Sequence, residues 1–349
     1  MPTQKAVEIT GPQEAKVVTN RRLPKLRDDY ILVRVVSVGL NPTDWKHVKF
    51  LAGPGALVGC DYAGIVEEVG SAVTKEFKKG DRVCGITHGS NDSNHEDGCF
   101  AEYIVAKAHG QWKIPPNLTF EEAATLGVGI VTVGQALYQA LKLSPPQAEP
   151  IPNGIPLLIY GGSSATGTLA IQFAKLSGYM VITTCSPHNF DLVRGLGADS
   201  VYDYKHSEAA AQIRQATGDQ LKLTLDCIGG EDGANFCDNA MSREGGRYTS
   251  ITGSMTKREN IVDSGTLGYT AVGEAFRKFG REFPPMPEDA AHIAAFITLI
   301  EPLLAQGKIK THPIKVGKGG LYGVLEGLKL LEEGKVSGEK LVYNIADTA

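Results

Sequence analysis

The chain predicts an α/β protein: a doubly wound parallel sheet joined to a β-rich second domain. Three observations carry this expectation. Strand-like and helix-like runs alternate from residue 157 to about 251, the pattern of a parallel sheet covered on both faces. A glycine-rich turn separates the first of those strands from its helix. Short β-rich runs broken by glycine and proline fill the first 113 residues, and a final strand returns at 340–345.

With 349 residues the chain is long enough for two cores. Its 42% hydrophobic and 21% charged content and 41 glycines describe a globular protein with many close backbone approaches. A formal charge of -4 and no long Lys/Arg run leave no electrostatic footprint for nucleic acid or an anionic membrane. No secretory signal or membrane-spanning run is visible, so a cytoplasmic protein is expected. Its six scattered cysteines fit reduced thiols better than a disulfide framework.

The β-rich part reads through 31–38, 64–69, 80–83 and 101–105. Helical spacing follows at 121–126 and 131–143, with Gly127-Val128-Gly129 expected as a glycine-rich turn between them. After a proline-rich connection at 144–156 come a buried strand at 157–160, a helix at 168–176, a strand at 180–185 and a helix near 190–196. Strands at 201–202, 223–226 and 247–251 continue the series, and a helix is expected at 321–333. The expected domains are 1–125, 126–285 as the nucleotide-binding part, and 286–349 as a return to the first.

The segment Tyr160-Gly161-Gly162-Ser163-Ser164-Ala165-Thr166-Gly167-Thr168 supplies the strongest chemical signal. Glycines there let the backbone approach a pyrophosphate, whose charge the following helix N-terminus stabilises. The usual G-x-G-x-x-G spacing is not met, so the strand–turn–helix context carries the reading. About twenty positions on, where NAD enzymes place an acid for the ribose 2′-hydroxyl, stand Ser186, Pro187, His188 and Asn189. Without a carboxylate there, a 2′-phosphate is not repelled and three of these side chains can donate to it, which favours NADPH. The same four residues also suit a plain turn and helix cap. Tyr204 and Lys205, after the third strand, lie in line for the same ribose.

The chain resembles the medium-chain dehydrogenase/reductases, in their zinc-free quinone-oxidoreductase branch. The residues that carry the resemblance are Gly39-Leu40-Asn41-Pro42-Thr43-Asp44, Gly59-Cys60-Asp61-Tyr62-Ala63-Gly64-Ile65-Val66, Gly80-Asp81-Arg82-Val83 and Gly98-Cys99-Phe100-Ala101-Glu102-Tyr103. Thr184-Cys185-Ser186-Pro187-His188-Asn189-Phe190-Asp191-Leu192, Asp203-Tyr204 and Ser337-Gly338-Glu339-Lys340-Leu341-Val342 are similar to the ToxD-like, trans-acting enoyl reductases of fungal polyketide pathways. The resemblance implies a Rossmann sheet inserted into a GroES-like catalytic domain. It implies NADPH contacts from Thr43, Asp44, Trp45, Lys46, Ser163, Ser164, Ala165, Thr166, Ser186, Pro187, His188, Asn189, Tyr204, Ile251, Thr252, Val336 and Ser337. Positions matching the substrate channel are Thr132, Val133, Gly134, Gln135, Ala136, Leu137, Tyr138, Gln139, Tyr269, Thr270, Ala271, Val272 and Gly273.

No metal is expected. The positions of the zinc ligands in zinc-dependent relatives read Asn41-Pro42-Thr43-Asp44 and Cys60-Asp61, and no group of four close cysteines exists. His88, His95 and Cys99 are expected in a polar surface loop, and Cys60 as a small, partly buried thiol. Without a Lewis acid, saturation of an activated double bond is favoured over alcohol oxidation. Lys46, Asp44 and Asn41 are the catalytic candidates: Lys46 as a polar contact or proton source, Asp44 as an orienting group, Asn41 near the reacting centre. The leading reading is an NADPH-dependent enoyl reductase acting on carrier-bound chains, with a polyketide synthase as the implied partner. A stand-alone quinone or alkenal reductase and a non-catalytic NADPH-binding protein are the alternatives, and the resemblance implies a monomer.

Overall fold

A computed structural model describes residues 2–349. The chain forms two compact units: among the described residues, 2–128, 269–301 and 311–349 make the first, and 129–268 and 302–310 the second. The first unit is therefore assembled from three stretches of chain. The expected boundaries at 125/126 and 285/286 differ from this division chiefly over 269–285. That stretch joins the first unit through contacts with it: Tyr30 Oη donates to Glu274 at 2.8 Å, and the Ala271 carbonyl lies 2.7 Å from His109 Nε2.

A seven-stranded sheet dominates the first unit. Its central strand Tyr30–Gly39 pairs antiparallel with Asp61–Val69, Tyr103–Lys107 and Lys340–Asn344. The last of these comes from the far end of the sequence, with Val342 opposite Gly39. Burial alternates along Tyr30–Gly39 as a one-sided sheet requires, and then becomes continuous at its end. Val7, Ile9, Ile31, Val33, Tyr62, Phe100 and Ile104 share one core with Leu321, Val324 and Leu328 of the Gly320–Glu332 helix. A single core built from both ends of the chain is the physical basis of the split domain.

In the second unit six strands form an all-parallel sheet. Their order is Ser200–Asp203, Met180–Cys185, Pro156–Tyr160, Leu223–Asp226, Gly246–Ser250 and Ile261–Gly265. The chain starts in the middle, winds outward one way and then the other, so a crevice opens at the C-terminal ends of Pro156–Tyr160 and Leu223–Asp226. Pro156–Tyr160 is buried at every position, as a strand covered on both faces must be.

Several expectations are corrected. Gly127-Val128-Gly129 is no turn: it opens a helix, Gly127–Val133, which widens into a π-helical stretch, Gly134–Ala140, in place of a regular helix to residue 143. Those glycines serve close packing. A Cβ at Gly127 would lie against the Gly85 carbonyl and 2.6 Å from Asp61 Oδ1, and one at Gly129 would lie 2.5 Å from Leu169 Cδ1. The nucleotide-turn helix begins at Ala165 rather than 168, because Ser164 caps it. The sixth parallel strand and the hairpin Phe276–Lys278/Arg281–Phe283 have no counterpart in the sequence reading, since each is too short for a clear period.

No helix among the described residues is long and apolar enough to cross a membrane. All six cysteines are free and buried. Gly127→Ala is expected to lower the midpoint of chemical denaturation, at a cost of about 1–3 kcal/mol from forced overpacking, whereas Gly195→Ala, exposed in the Phe190–Gly195 helix with open space around it, costs less; equal midpoints for the two variants would show that Gly127 is not confined.

Candidate active site

The C-terminal edge of the parallel sheet builds a nucleotide cradle. Gly161 takes φ +83°, a conformation that favours glycine, and its N–H donates to Thr184 Oγ1 at 3.1 Å. Ser164 then locks the turn: its hydroxyl donates to the Gly161 carbonyl at 2.8 Å and accepts from the Gly167 N–H at 3.0 Å. A Cβ at Gly167 would strike the Gly161 carbonyl, and one at Gly162 would strike Thr183 Oγ1, so both positions are held to glycine by the closeness of helix and strand. Ser163, Ser164, Ala165 and Thr166 stay half-exposed, at the start of the twelve-residue helix Ala165–Leu176. First-turn amides have no intrahelical acceptor, and they and the helix dipole suit a pyrophosphate. The cradle fits a dinucleotide.

Beside it, Met180–Cys185 runs out at Ser186, followed by the short turn Pro187–Asn189. Ser186 is half-buried, Pro187 and His188 are exposed and Asn189 is buried. The neighbouring strand brings Asp203 opposite Cys185, so Tyr204, 39% exposed, follows next to Ser186. Lys205 Nζ stands 5.8 Å over the Tyr204 ring, and Asp203 Oδ1 accepts from the Lys205 N–H. Ile251 and Thr252 leave the fifth strand at the same edge, the Ile251 N–H donating to the Asp226 carbonyl at 3.1 Å. Thr132 to Leu137 are buried in the second unit, while Tyr138 and Gln139 are half-buried. Tyr138 Oη lies 2.9 Å from Ser177 Oγ.

The first unit holds the other candidates. Asn41 caps the helix Pro42–Phe50, and its own N–H donates to Asp44 Oδ2 at 2.8 Å. Asn41 Nδ2 donates to Asp61 Oδ2 at 2.9 Å, and Asn41 Oδ1 accepts from Lys340 Nζ at 2.9 Å. Lys340 also pairs with Asp61 Oδ2, both groups being buried, and donates to the Thr125 carbonyl at 3.2 Å. Asp61 Oδ1 receives the Val128 N–H at 2.5 Å. The Lys340 ammonium therefore occupies the space between the Asn41 and Asp61 side-chain oxygens. No group of three or more His, Cys, Asp or Glu able to hold a metal ion occurs among the described residues.

Asp44 and His47 share the buried face of their helix, and Lys46 is exposed on the other, its Nζ 5.7 Å over the Trp45 ring. Burial lifts the Asp44 carboxyl to about 7; the Asn41 N–H opposes the rise and Asp61 adds to it. Tyr269 meets this region: its hydroxyl lies 2.6 Å from Thr43 Oγ1 and 3.9 Å from Cys60 Sγ, and its ring stacks on His88 at 4.2 Å. Thr270 and Ala271 are buried and Val272 half-buried, and Gly273 takes φ +78°. Val336 is half-buried and Ser337 exposed in the loop before Lys340–Asn344.

The loop expected at the surface is in part interior. His88 and Cys99 are buried and only His95 is exposed, because the loop folds back under the 269–276 segment, with His88 also edge-on to Phe276. Cys60 is fully buried, not partly, and burial pushes its thiol pKa up. The sequence reading missed His47, Lys278, Lys340 and the charge of Asp61. Two signals pointed to them: the i, i+3 spacing of Asp44 and His47, and the period-two inward positions Phe276 and Lys278.

The family matches agree with this architecture. The alcohol dehydrogenase GroES-like domain matches residues 27–116, and the zinc-binding dehydrogenase family matches residues 165–274. The trans-enoyl reductase TOXD of Cochliobolus carbonum is 58% identical over 82% of this chain and 96% of its own. The chain belongs to the trans-enoyl reductase family. The trans-enoyl reductase resD of Aspergillus sclerotiorum is 45% identical, covering 97% of this chain and 99% of its own. A quinone oxidoreductase from Coxiella burnetii superimposes with a TM-score of 0.69 at 26% identity, over 98% of this chain and 99% of that one. The trans-enoyl reductase is thus an oxidoreductase of the medium-chain dehydrogenase/reductase superfamily, whose reductases use a nicotinamide cofactor.

Two outcomes follow from the buried charges. Lys340→Ala leaves Asp61 buried without its cation, and is expected to cost about 3–5 kcal/mol in denaturant unfolding, with the double variant Lys340→Met/Asp61→Leu recovering part of the loss. Asp44 has a raised folded pKa, so its contribution to stability is fully present below about 4 and is lost as pH rises to about 7. Asp44→Asn should flatten that limb of the stability–pH curve; an unchanged limb would assign it to other groups.

Proposed function

We propose that this reductase uses NADPH to saturate the activated C=C bond of an enoyl thioester carried by a separate polyketide synthase. The observation that carries the reading is the similarity, 58% and 45% identical over 82% and 97% of the chain, to proteins named trans-enoyl reductases. NADPH supplies a hydride when bound. The chain's own residues must then bind and orient the nucleotide, hold the thioester, and manage the charge that develops on the thioester oxygen as the β-carbon is reduced.

In the second unit, the turn from Ser163 to Thr166 is proposed to hold the pyrophosphate. Ser186, His188, Asn189 and Tyr204 are proposed to hold the 2′-phosphate, with Lys205 as the nearby cation and Pro187 fixing the turn, and Ile251 and Thr252 to line the same edge. In the first unit, Thr43, Asp44, Trp45, Lys46, Val336 and Ser337 are the proposed cofactor contributors. Tyr269 to Gly273 there, and Thr132 to Gln139 in the second unit, are the proposed substrate residues. Asn41 and Asp44 are proposed to act by shaping their helix N-terminus, given their hydrogen bonds to each other, Asp61 and Lys340. Lys46, exposed and with its amine over the Trp45 ring, is the proposed solvent-side contact or proton source. The cytoplasm is the proposed compartment and a monomer the proposed state.

A panel assay tests the reading. NADPH and NADH oxidation are followed with a carrier-linked enoyl chain, a free enoyl thioester, a quinone and an alkenal. The expected result is NADPH-dependent turnover of the enoyl thioesters, with the carrier-linked chain preferred. Turnover of quinone alone would assign the chain to the quinone-reductase reading, and comparable use of NADH would end the cofactor assignment. Ser186→Asp places a carboxylate beside the 2′-phosphate and should raise KM for NADPH by roughly tenfold or more while sparing NADH. If Lys46→Ala leaves both turnover and NADPH affinity unchanged, Lys46 has no part in the reaction.

A further inference from the structure

Lys278 is buried, 6% exposed, at the end of the short strand Phe276–Lys278, and no carboxylate among the described residues pairs with it. Its Nζ donates to His47 Nε2 and stands 3.8 Å from the centroid of the Tyr269 ring. The His47 tautomer follows from its other nitrogen: Nδ1 lies 2.6 Å from the Thr43 carbonyl, which can only accept, so Nδ1 carries the proton and Nε2 offers its lone pair.

The groups around this amine are neutral. His47, from the Pro42–Phe50 helix, is held down to about 3 by burial and then by Lys278 itself. His88, from the loop after Arg82–Ile86, is lowered well below its usual value by the same causes. Burial raises the Cys60 thiol and the Tyr269 phenol. Asp92, exposed, supports the ammonium through space without pairing with it. A desolvated ammonium with no anion is costly, and burial draws its pKa down to about 8. Such a group is stabilised when an anion arrives with a ligand. One ammonium among neutral partners matches one delocalised negative charge. A phosphate dianion is usually met by guanidinium forks or several donors.

We propose that Lys278 is a catalytic residue whose ammonium donates a hydrogen bond to the thioester oxygen as that oxygen becomes an enolate. This rests on the reductase reading above and on Tyr269, which Lys278 covers, lining the substrate site. Hydride addition at the β-carbon pushes the C=C pair toward the α-carbon and oxygen. The enolate collapses when the α-carbon takes a proton from water. Lys278 gives up no proton in this sequence.

The test compares wild type with Lys278→Met and Lys278→Arg. Three quantities are read: kcat on an enoyl thioester at saturating NADPH from about pH 6 to about pH 10, binding of an acetoacetyl thioester followed by its enolate absorbance, and the thermal midpoint. Lys278→Met should lower kcat roughly 100-fold with NADPH affinity unchanged, and its midpoint should match or exceed wild type because an unpaired buried charge is gone. Wild-type kcat should fall above about pH 8, where the amine loses its proton, and this limb should vanish in Lys278→Met. Lys278→Arg keeps the charge and should recover part of kcat and of enolate binding, which a proton-donor role would not allow. Normal wild-type turnover with an unaffected Lys278→Met overturns the inference and leaves the reductase reading standing. Enolate binding lost in Lys278→Met, in a wild type that turns over no enoyl thioester, removes the reductase reading and overturns the catalytic role with it, leaving Lys278 as an anion contact only. No enolate bound by wild type overturns the inference outright.

Discussion

The first unit is organised around one buried ion pair, Lys340 with Asp61. Its two groups are 3% and 0% exposed, and neither is left with one partner. Asp61 takes the Asn41 amide and the Val128 N–H as well as the ammonium; Lys340 adds the Asn41 oxygen and the Thr125 carbonyl. Buried charges persist only when their remaining hydrogen-bonding capacity is met, and here it is met by four segments far apart in sequence. The pair thus sets the register of the last strand against the helix cap at Asn41 and the start of the Gly127–Val133 helix. Gly127 follows from it, because no side chain fits between that helix and Asp61.

Packing charge so densely has an electrostatic consequence for the neighbours. Asp44, one turn away, feels the Lys340 charge only through space, and burial outweighs that pull and drives it toward the protonated form. Around Tyr269 the same desolvation holds His47 and His88 neutral and weakens the hold of Lys278 on its proton. A low-dielectric interior of neutral groups around one unpaired ammonium is suited to a reaction in which negative charge appears briefly on a substrate oxygen.

The second unit depends on a different constraint, the closeness of the first strand and helix. Gly162 and Gly167 were legible as a nucleotide turn even though their spacing departs from the common one, because strand, turn and helix stood in the right order. The structure gives the departure a reason: Ser164 replaces a glycine's freedom with a hydroxyl that caps the helix and ties it to Gly161. The π-helical stretch at Gly134–Ala140 and the edge strand Ile261–Gly265 stayed hidden. Widened helical turns keep nearly the same hydrophobic spacing as regular ones, and a five-residue edge strand with Asp263 and Ser264 in it carries no clear alternation.

By itself the sequence determined the fold class, the parallel character of the second unit's sheet, the family, and the place of the glycine-bearing strand–turn–helix. These depend on local signals: period, glycine position and short-range order along the chain. Only the tertiary structure decided that Asn41 and Asp61 share their oxygens with Lys340, that His88 and Cys99 lie inside, and that Lys278 reaches His47 and Tyr269. Each of these depends on segments separated by up to some three hundred positions meeting in one desolvated interior. Burial, unlike periodicity, is a property of that meeting, and it fixes which of the ionisable side chains are charged.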